Sequence, residues 1–169
     1  MNTFNPLKRL LSAVVMSAVV AGVSPNSPAA TIVKQDISRN SVWTAGKSPY
    51  VVTDDIVIKK HVILKIEPGV RVELAPEKTI EIQGKLTAVG SPERPVIFTA
   101  HRESPWGSIY FTDFSDDAAF SEHGRYIDGC ILKNCIIEKG RGIFIRFGAP
   151  LITDCEIRNN FSSGIRVEF

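Results

Sequence analysis

The chain has 169 residues, with 20 Lys+Arg against 18 Asp+Glu. Both basic residues among the first 30 positions, Lys8 and Arg9, precede an uncharged apolar stretch. Without positions 1–30, 18 of the 20 bases face 18 acids, so the remainder is neutral and offers no electrostatic basis for binding nucleic acid or an anionic membrane.

The apolar stretch at 10–23 is 14 residues long. A membrane span needs roughly 20, so this stretch predicts no transmembrane anchor. A positive start, a short apolar core and small residues after it predict a secretory signal at 1–30, cleaved after Ala21 or Ala29. The expected location is therefore the periplasm, the cell surface or the medium. Residues 31–49 follow as an expected cap, with Ile32, Val33, Ile37, Val42 and Trp43 folding over Ile56 and Ile58.

From about position 50 the chain alternates with period two. Val62, Leu64 and Ile66 alternate with Ile63 and Lys65 before Pro68-Gly69; Val70, Val72 and Leu74 alternate with Arg71 and Glu73 before Pro76; Ile80, Ile82, Leu86 and Ala88 continue the pattern. Such runs read as half-buried strands punctuated by turns. The later half repeats visibly. LKNCIIE at 132–138 matches ITDCEIR at 152–158 with an offset of 20, and GIFI at 142–145 matches GIRV at 164–167 with an offset of 22. In the first half, Ile58 to Ile82 is an offset of 24 and Ile66 to Ala88 one of 22. About three short strands plus corners consume this many residues per turn, and stacked coils keep like residues at such a separation where antiparallel hairpins do not. The predicted fold is all-β: a single-stranded right-handed parallel β-helix over 50–169, with Ile137 stacked on Ile157 and Ile143 on Ile165. The short polar pairs Asn134/Asp154 and Asn159-Asn160 suit its corners.

The residues that carry a family likeness are SPYVVTDDIVI, LKIEPGVRVEL, IEIQGKLTAVG, PVIFTA, WGSIYF and the paired NCIIEKGRGIFI and DCEIRNNFSSGIRV. Through them the chain resembles, from about position 40 to its end, the exported right-handed β-helix repeat proteins of bacteria with the pectin-lyase-like fold. That resemblance implies the architecture and leaves function open, because the family mixes polysaccharide enzymes, adhesins and surface proteins. Its catalytic signatures are absent. There is no Gly-His-Gly, Trp-Ile-Asp-His or Gly-Arg-Pro-Trp, and the Asp pairs at 54–55 and 116–117 lack the companions that acid–base hydrolysis needs. No catalytic residue is assigned. His61, His101 and His123 read as surface polar groups.

The longest break in the pattern, at 113–126, predicts a loop projecting from the side of the stack. It carries Asp113, Asp116, Asp117 and Glu122 with Phe114, Phe120 and Tyr126 interleaved. Acidic oxygens gathered together can hold Ca²⁺, and aromatics beside polar groups can stack on a sugar ring; the plainer reading is that the rings pin the loop while the acids solvate it. No other cofactor or metal is implied. The three cysteines, Cys130, Cys135 and Cys155, form no zinc motif; stacking brings Cys135 and Cys155 within the Cα range of a disulfide, while side chains pointing the same way favour free thiols. The expectation is a binding scaffold for polysaccharide or a surface protein. The alternative is the front portion of a polysaccharide lyase or glycoside hydrolase with its catalytic coils beyond Phe169. The final segment, 164–169, reads as a strand in mid-coil, an apolar edge able to pair with another chain.

Overall fold

The computed structural model describes residues 29–169. Apart from positions 29–30, the expected secretory signal lies outside the described residues. No helix among those described is long and apolar enough to cross a membrane.

The chain winds as a parallel β-solenoid of six coils, the last incomplete. The first coil holds β1 (Thr31–Val33) and β2 (Ser41–Trp43), and the second holds β3 (Tyr50–Val52), β4 (Ile56–Ile58) and β5 (Ile63–Ile66). The third holds β6 (Arg71–Leu74), β7 (Ile80–Ile82) and β8 (Lys85–Val89). In the fourth, β9 (Val96–Ala100) and β10 (Ile109–Phe111) are followed by a hairpin, β11 (Ala119–Phe120) and β12 (Tyr126–Asp128), before β13 (Ile131–Lys133). The fifth holds β14 (Cys135–Glu138), β15 (Ile143–Arg146) and β16 (Leu151–Thr153); β17 (Glu156–Arg158) and β18 (Ile165–Glu168) begin the sixth. Stacking makes three parallel faces. Face one runs β1-β3-β6-β9-β14-β17, face two β4-β7-β10-β15-β18, and face three β2-β5-β8-β13-β16.

Alternation along each strand sends every second side chain inward, and the register stacks like on like. On face two, Ile56, Ile80, Ile109, Ile143 and Ile165 form one inward ladder; Ile58, Ile82, Phe111, Ile145 and Val167 form the next. Face one contributes Val72, Phe98, Ile137 and Ile157, and face three Ile66, Ala88, Leu132 and Ile152. A large aliphatic side chain removed from water contributes about 1.5–3 kcal/mol, so these ladders are the main source of stability. The offsets in the sequence are these pairings: Ile58 lies opposite Ile82, Ile66 opposite Ala88 and Ile137 opposite Ile157. Asn134, Asp154 and Asn159 take the left-handed backbone at the corners, with φ of 49°, 55° and 52°, a conformation their short polar side chains tolerate.

The segment 31–49 lies over the second coil as a coil itself. β1 pairs with β3, β2 with β5, and Ile37 bridges to Ile58. Val33, Ile37 and Trp43 pack against the core, with Trp43 stacked on Tyr50 at 4.6 Å between ring centroids. Ile32 and Val42 face solvent. At the opposite end, Ile157 is only half-buried and Ile165 is exposed, although each stands in an inward ladder. Their ladders offer atoms on one side only.

Candidate functional site

The fourth coil departs from its neighbours immediately after β10. Thr112 anchors the departure: its Oγ1 donates to the Ile82 carbonyl at 2.9 Å and accepts from the Phe114 amide at 3.2 Å. Ser115 closes the turn, its Oγ donating to the Thr112 carbonyl at 2.7 Å. Both residues are buried, so the loop begins as a fixed structure. The backbone amide of Asp116 donates to Gly84 on the third coil, and that of Ala118 to Ala149 on the fifth. Gly148 permits the approach, since a Cβ there would lie 2.8 Å from Ser115 Oγ and 3.0 Å from the Thr112 carbonyl oxygen. Gly129 returns the chain with φ of +100°; a Cβ on it would meet the Asp117 carbonyl oxygen at 2.0 Å.

This loop walls one side of a groove of about 400 Å³ on the outward side of face two. Its lining includes Glu81, Tyr110, Asp113, Phe114, Arg146 and Phe147. The floor follows from register. The outward positions Val57, Glu81, Tyr110, Phe144 and Arg166 are stacked in successive coils. Tyr110 and Phe144 stack with centroids 4.9 Å apart and planes 12° from parallel, and the Arg166 guanidinium lies 5.2 Å from the Phe144 centroid. Stacked in this way, Phe144 is engaged by Tyr110 and by Arg166, and Tyr110 by Phe144. The exposed rings of the groove are Phe114 and Phe147, both about half exposed, each with a cation near one face. Lys60 Nζ lies 4.8 Å from the Phe114 centroid, and the Arg146 guanidinium 5.8 Å from that of Phe147. Gln83 Nε2 donates to Glu81 Oε1 at 2.7 Å, which orients both groups on the groove's edge. Cations, carboxylates, an amide and two exposed rings thus share one concave surface, an arrangement suited to a ligand with alternating apolar and hydroxyl-bearing patches.

The residues singled out in the loop separate. Asp113 and Phe114 line the groove. Asp117 turns back, its Oδ1 accepting the Ala149 amide at 2.8 Å, and so ties the loop to the fifth coil. Asp116 is half-buried at the loop base, where its charge acts on Lys85 and Cys130. Glu122 is exposed near the hairpin tip. Phe120 and Tyr126 pair across β11 and β12 in an edge-to-face contact, 6.3 Å between centroids, and Tyr126 Oη donates to the Gly129 carbonyl at 2.7 Å. Burial pushes the Tyr126 hydroxyl above its usual pKa. Lys85 Nζ holds the β12 side of the hairpin base through Asp128 Oδ1 at 2.7 Å. Among the described residues, no three His, Cys, Asp or Glu side chains converge as a metal-holding group.

Sequence reasoning missed Glu81, Tyr110, Arg146 and Phe147, which come from three different coils. One signal was present: WGSIYF and GRGIFI each place an aromatic at the outward position of a strand, and β10 and β15 set those aromatics in register. Elsewhere, His101 is more than a solvated polar group. Its Nδ1 lies 2.9 Å from Glu73 Oε2, whose other oxygen accepts Arg71 Nε at 2.8 Å. Burial works to raise the Glu73 pKa, but these two hydrogen bonds outweigh it and hold the carboxyl below its ordinary range.

No family model matches the chain, and no solved structure matches it. A segment of 95 residues, 56% of the chain, is 34% identical to part of a Drosophila melanogaster protein described as Protein bark beetle. The chain spans 3% of that protein's length.

Proposed function

We propose that this chain is an exported, right-handed, pectin-lyase-like β-helix that binds glycan without cleaving it, in the groove between its side loop and face two. The observation that carries the reading is the pair of half-exposed phenyl rings, Phe114 and Phe147, lining the same groove as Glu81, Gln83, Asp113 and Arg146. A sugar ring presents an apolar C–H face to an aromatic and hydroxyls to carboxylates, amides and guanidinium groups. Isolated exposed phenyls are ordinary on a protein surface, but two within one concave site mark a surface that gains by being covered. Export is supported by Lys8 and Arg9 ahead of the uncharged stretch 10–23. Absence of cleavage is supported by the surroundings of the groove carboxylates, since Glu81 is engaged by Gln83 and Asp113 is open to solvent. Neither side chain is buried.

Affinity electrophoresis of the purified chain through gels containing xylan, β-glucan, chitosan or polygalacturonate tests this proposal. Retardation on at least one polysaccharide is expected, together with its loss in Phe114→Ala and in Phe147→Asn. The asparagine is chosen because Phe147 has φ of 59°, which asparagine accepts. Full mobility in every gel, or retardation unchanged in both variants, would remove the groove as a glycan site. Release of reducing ends from the retarding polysaccharide would replace binding with catalysis.

A further inference from the structure

The corner between faces three and one is repeated in the last two coils with cysteine at the same place. Asn134 and Asp154 each turn the chain in the left-handed conformation, and Cys135 and Cys155 follow them. β14 and β17 are parallel with Ile136 opposite Glu156, so the preceding residues, Cys135 and Cys155, stand opposite each other. Their surroundings repeat as well. Cys135 Sγ lies 3.4 Å from both the Lys133 and Ala88 carbonyl oxygens; Cys155 Sγ lies 3.3 Å from the Thr153 oxygen and 3.4 Å from that of Leu132. Both thiols are free; Cys135 is buried and Cys155 half-buried.

We infer that Cys135 and Cys155 form a thiol–disulfide exchange site that closes, on meeting a small disulfide such as oxidised glutathione or a disulfide-bearing oxidoreductase, into a bond tying the sixth coil to the fifth. Register supplies the distance. Opposed residues on neighbouring strands stand about 4.8 Å apart, inside the Cα range of roughly 4.4–6.8 Å that disulfides span. Parallel neighbours project their Cβ atoms side by side, somewhat farther apart than the roughly 3.8 Å a relaxed disulfide prefers. Closure therefore draws the strands together at this corner, and a bond formed under such tension is readily reduced again.

The order of events follows from the two environments. The two thiols act on each other: the neighbouring Cys135 holds Cys155 down at about 7, and Cys155 pushes Cys135 upward. Cys155, nearer solvent, is the attacking thiolate. It displaces one sulfur of the external disulfide as a thiolate and forms a mixed disulfide. Cys135 then gives up its proton to solvent and attacks the Cys155 sulfur, and the second external sulfur leaves as a thiolate. Two protein thiols lose two electrons in all, and the external disulfide gains them. Cys130 takes no part: it sits apart at the start of β13, and burial raises its thiol to about 11.

Equilibration of the chain with oxidised glutathione, followed by thiol titration under denaturing conditions and peptide mapping by mass spectrometry, tests the inference. The three thiols should fall to one, Cys135 should be found linked to Cys155 within one chain, and the melting temperature should rise. Dithiothreitol should reverse all three changes. The Cys130→Ser variant should still close, and Cys155→Ser should show no oxidant-dependent shift in melting. Three surviving thiols, stable glutathionylation of Cys155 beside a free Cys135, or a bond between two chains would each overturn it.

Discussion

The fifth and sixth coils share a spaced pattern of cysteine, isoleucine and glycine and have different fates. Ile143 and Ile165 occupy one ladder in register, yet Ile143 is 1% exposed and Ile165 is 39% exposed. Cys135 is buried where Cys155 is half-buried, and Ile137 is buried where Ile157 is half-buried. Burial in a solenoid is therefore a property of the next coil more than of the residue's own. A strand pattern states which way a side chain points; only the stack states whether anything covers it.

Truncation of matched residues gives the largest expected contrast. Phe98→Ala, in the middle of face one, should cost about 3–5 kcal/mol, and Ile143→Ala about 2–5 kcal/mol, because each leaves a cavity closed on both sides. Ile165→Ala should cost under ~1 kcal/mol, as solvent fills the space. Ile157→Ala belongs between them. Sequence pattern alone puts both Ile157 and Ile165 with the buried set, whereas Ile165 is exposed and Ile157 half-buried, which lowers the expected cost at Ile157 to about 1–2 kcal/mol. Urea unfolding of the four variants checks the series. Equal losses at Ile143 and Ile165 would mean that something covers the sixth coil in solution.

The solenoid was legible because its signal is local and repeated. Offsets of 20 to 24 residues set the register, and Asn134, Asp154 and Asn159 marked turns in the later coils. The groove was far less legible. Asp113 and Phe114 stood out by interrupting a regular pattern, whereas Glu81 and Arg146 sit at ordinary outward strand positions and become neighbours only through stacking. The anchoring contact of Asp117 was hidden for a related reason. As a loop carboxylate it reads as a ligand, but its partner is the Ala149 amide, 32 positions away in the next coil.

A second contrast sets the pinned base of the loop against its projecting hairpin. Gly148→Ala should be felt at once, because its Cβ must displace the turn at Thr112 and Ser115. A cost of about 1–3 kcal/mol is expected from overpacking, with altered glycan retardation because Phe147 adjoins the change. Asp117→Ala should cost less, about 1 kcal/mol, since it removes one hydrogen bond to an amide that water can reach. Chemical denaturation of both variants orders the two effects; a Gly148→Ala chain as stable as the parent would show that the base has room to shift.

The smallest effect separates the hairpin from the stack by pH. The Lys85 hydrogen bond holds the Asp128 carboxyl below its ordinary range, and the same bond holds the Lys85 ammonium above its own. Asp128 is lowered in the folded chain, so its contribution is complete above about pH 4, the ordinary carboxyl value, and is lost as pH falls through the lower folded value. Lys85 is raised, so its contribution is complete below the ordinary lysine range and is lost as pH rises through the higher folded value. Between those limits the pair is intact and the hairpin should be insensitive to pH. Asp128 is largely exposed, so the pair acts on local order far more than on global stability. Hydrogen exchange corrected for intrinsic rates reads the difference. On acidification through the lower folded value of Asp128, the amides of β12 should lose protection while those of β9, whose carbonyls and amides pair inside the stack, keep theirs. Lys85→Met should give the unprotected hairpin already at neutral pH and abolish the acid step. A hairpin that keeps its protection in that variant would owe its order to the Phe120–Tyr126 contact and the Tyr126–Gly129 hydrogen bond instead of the ion pair.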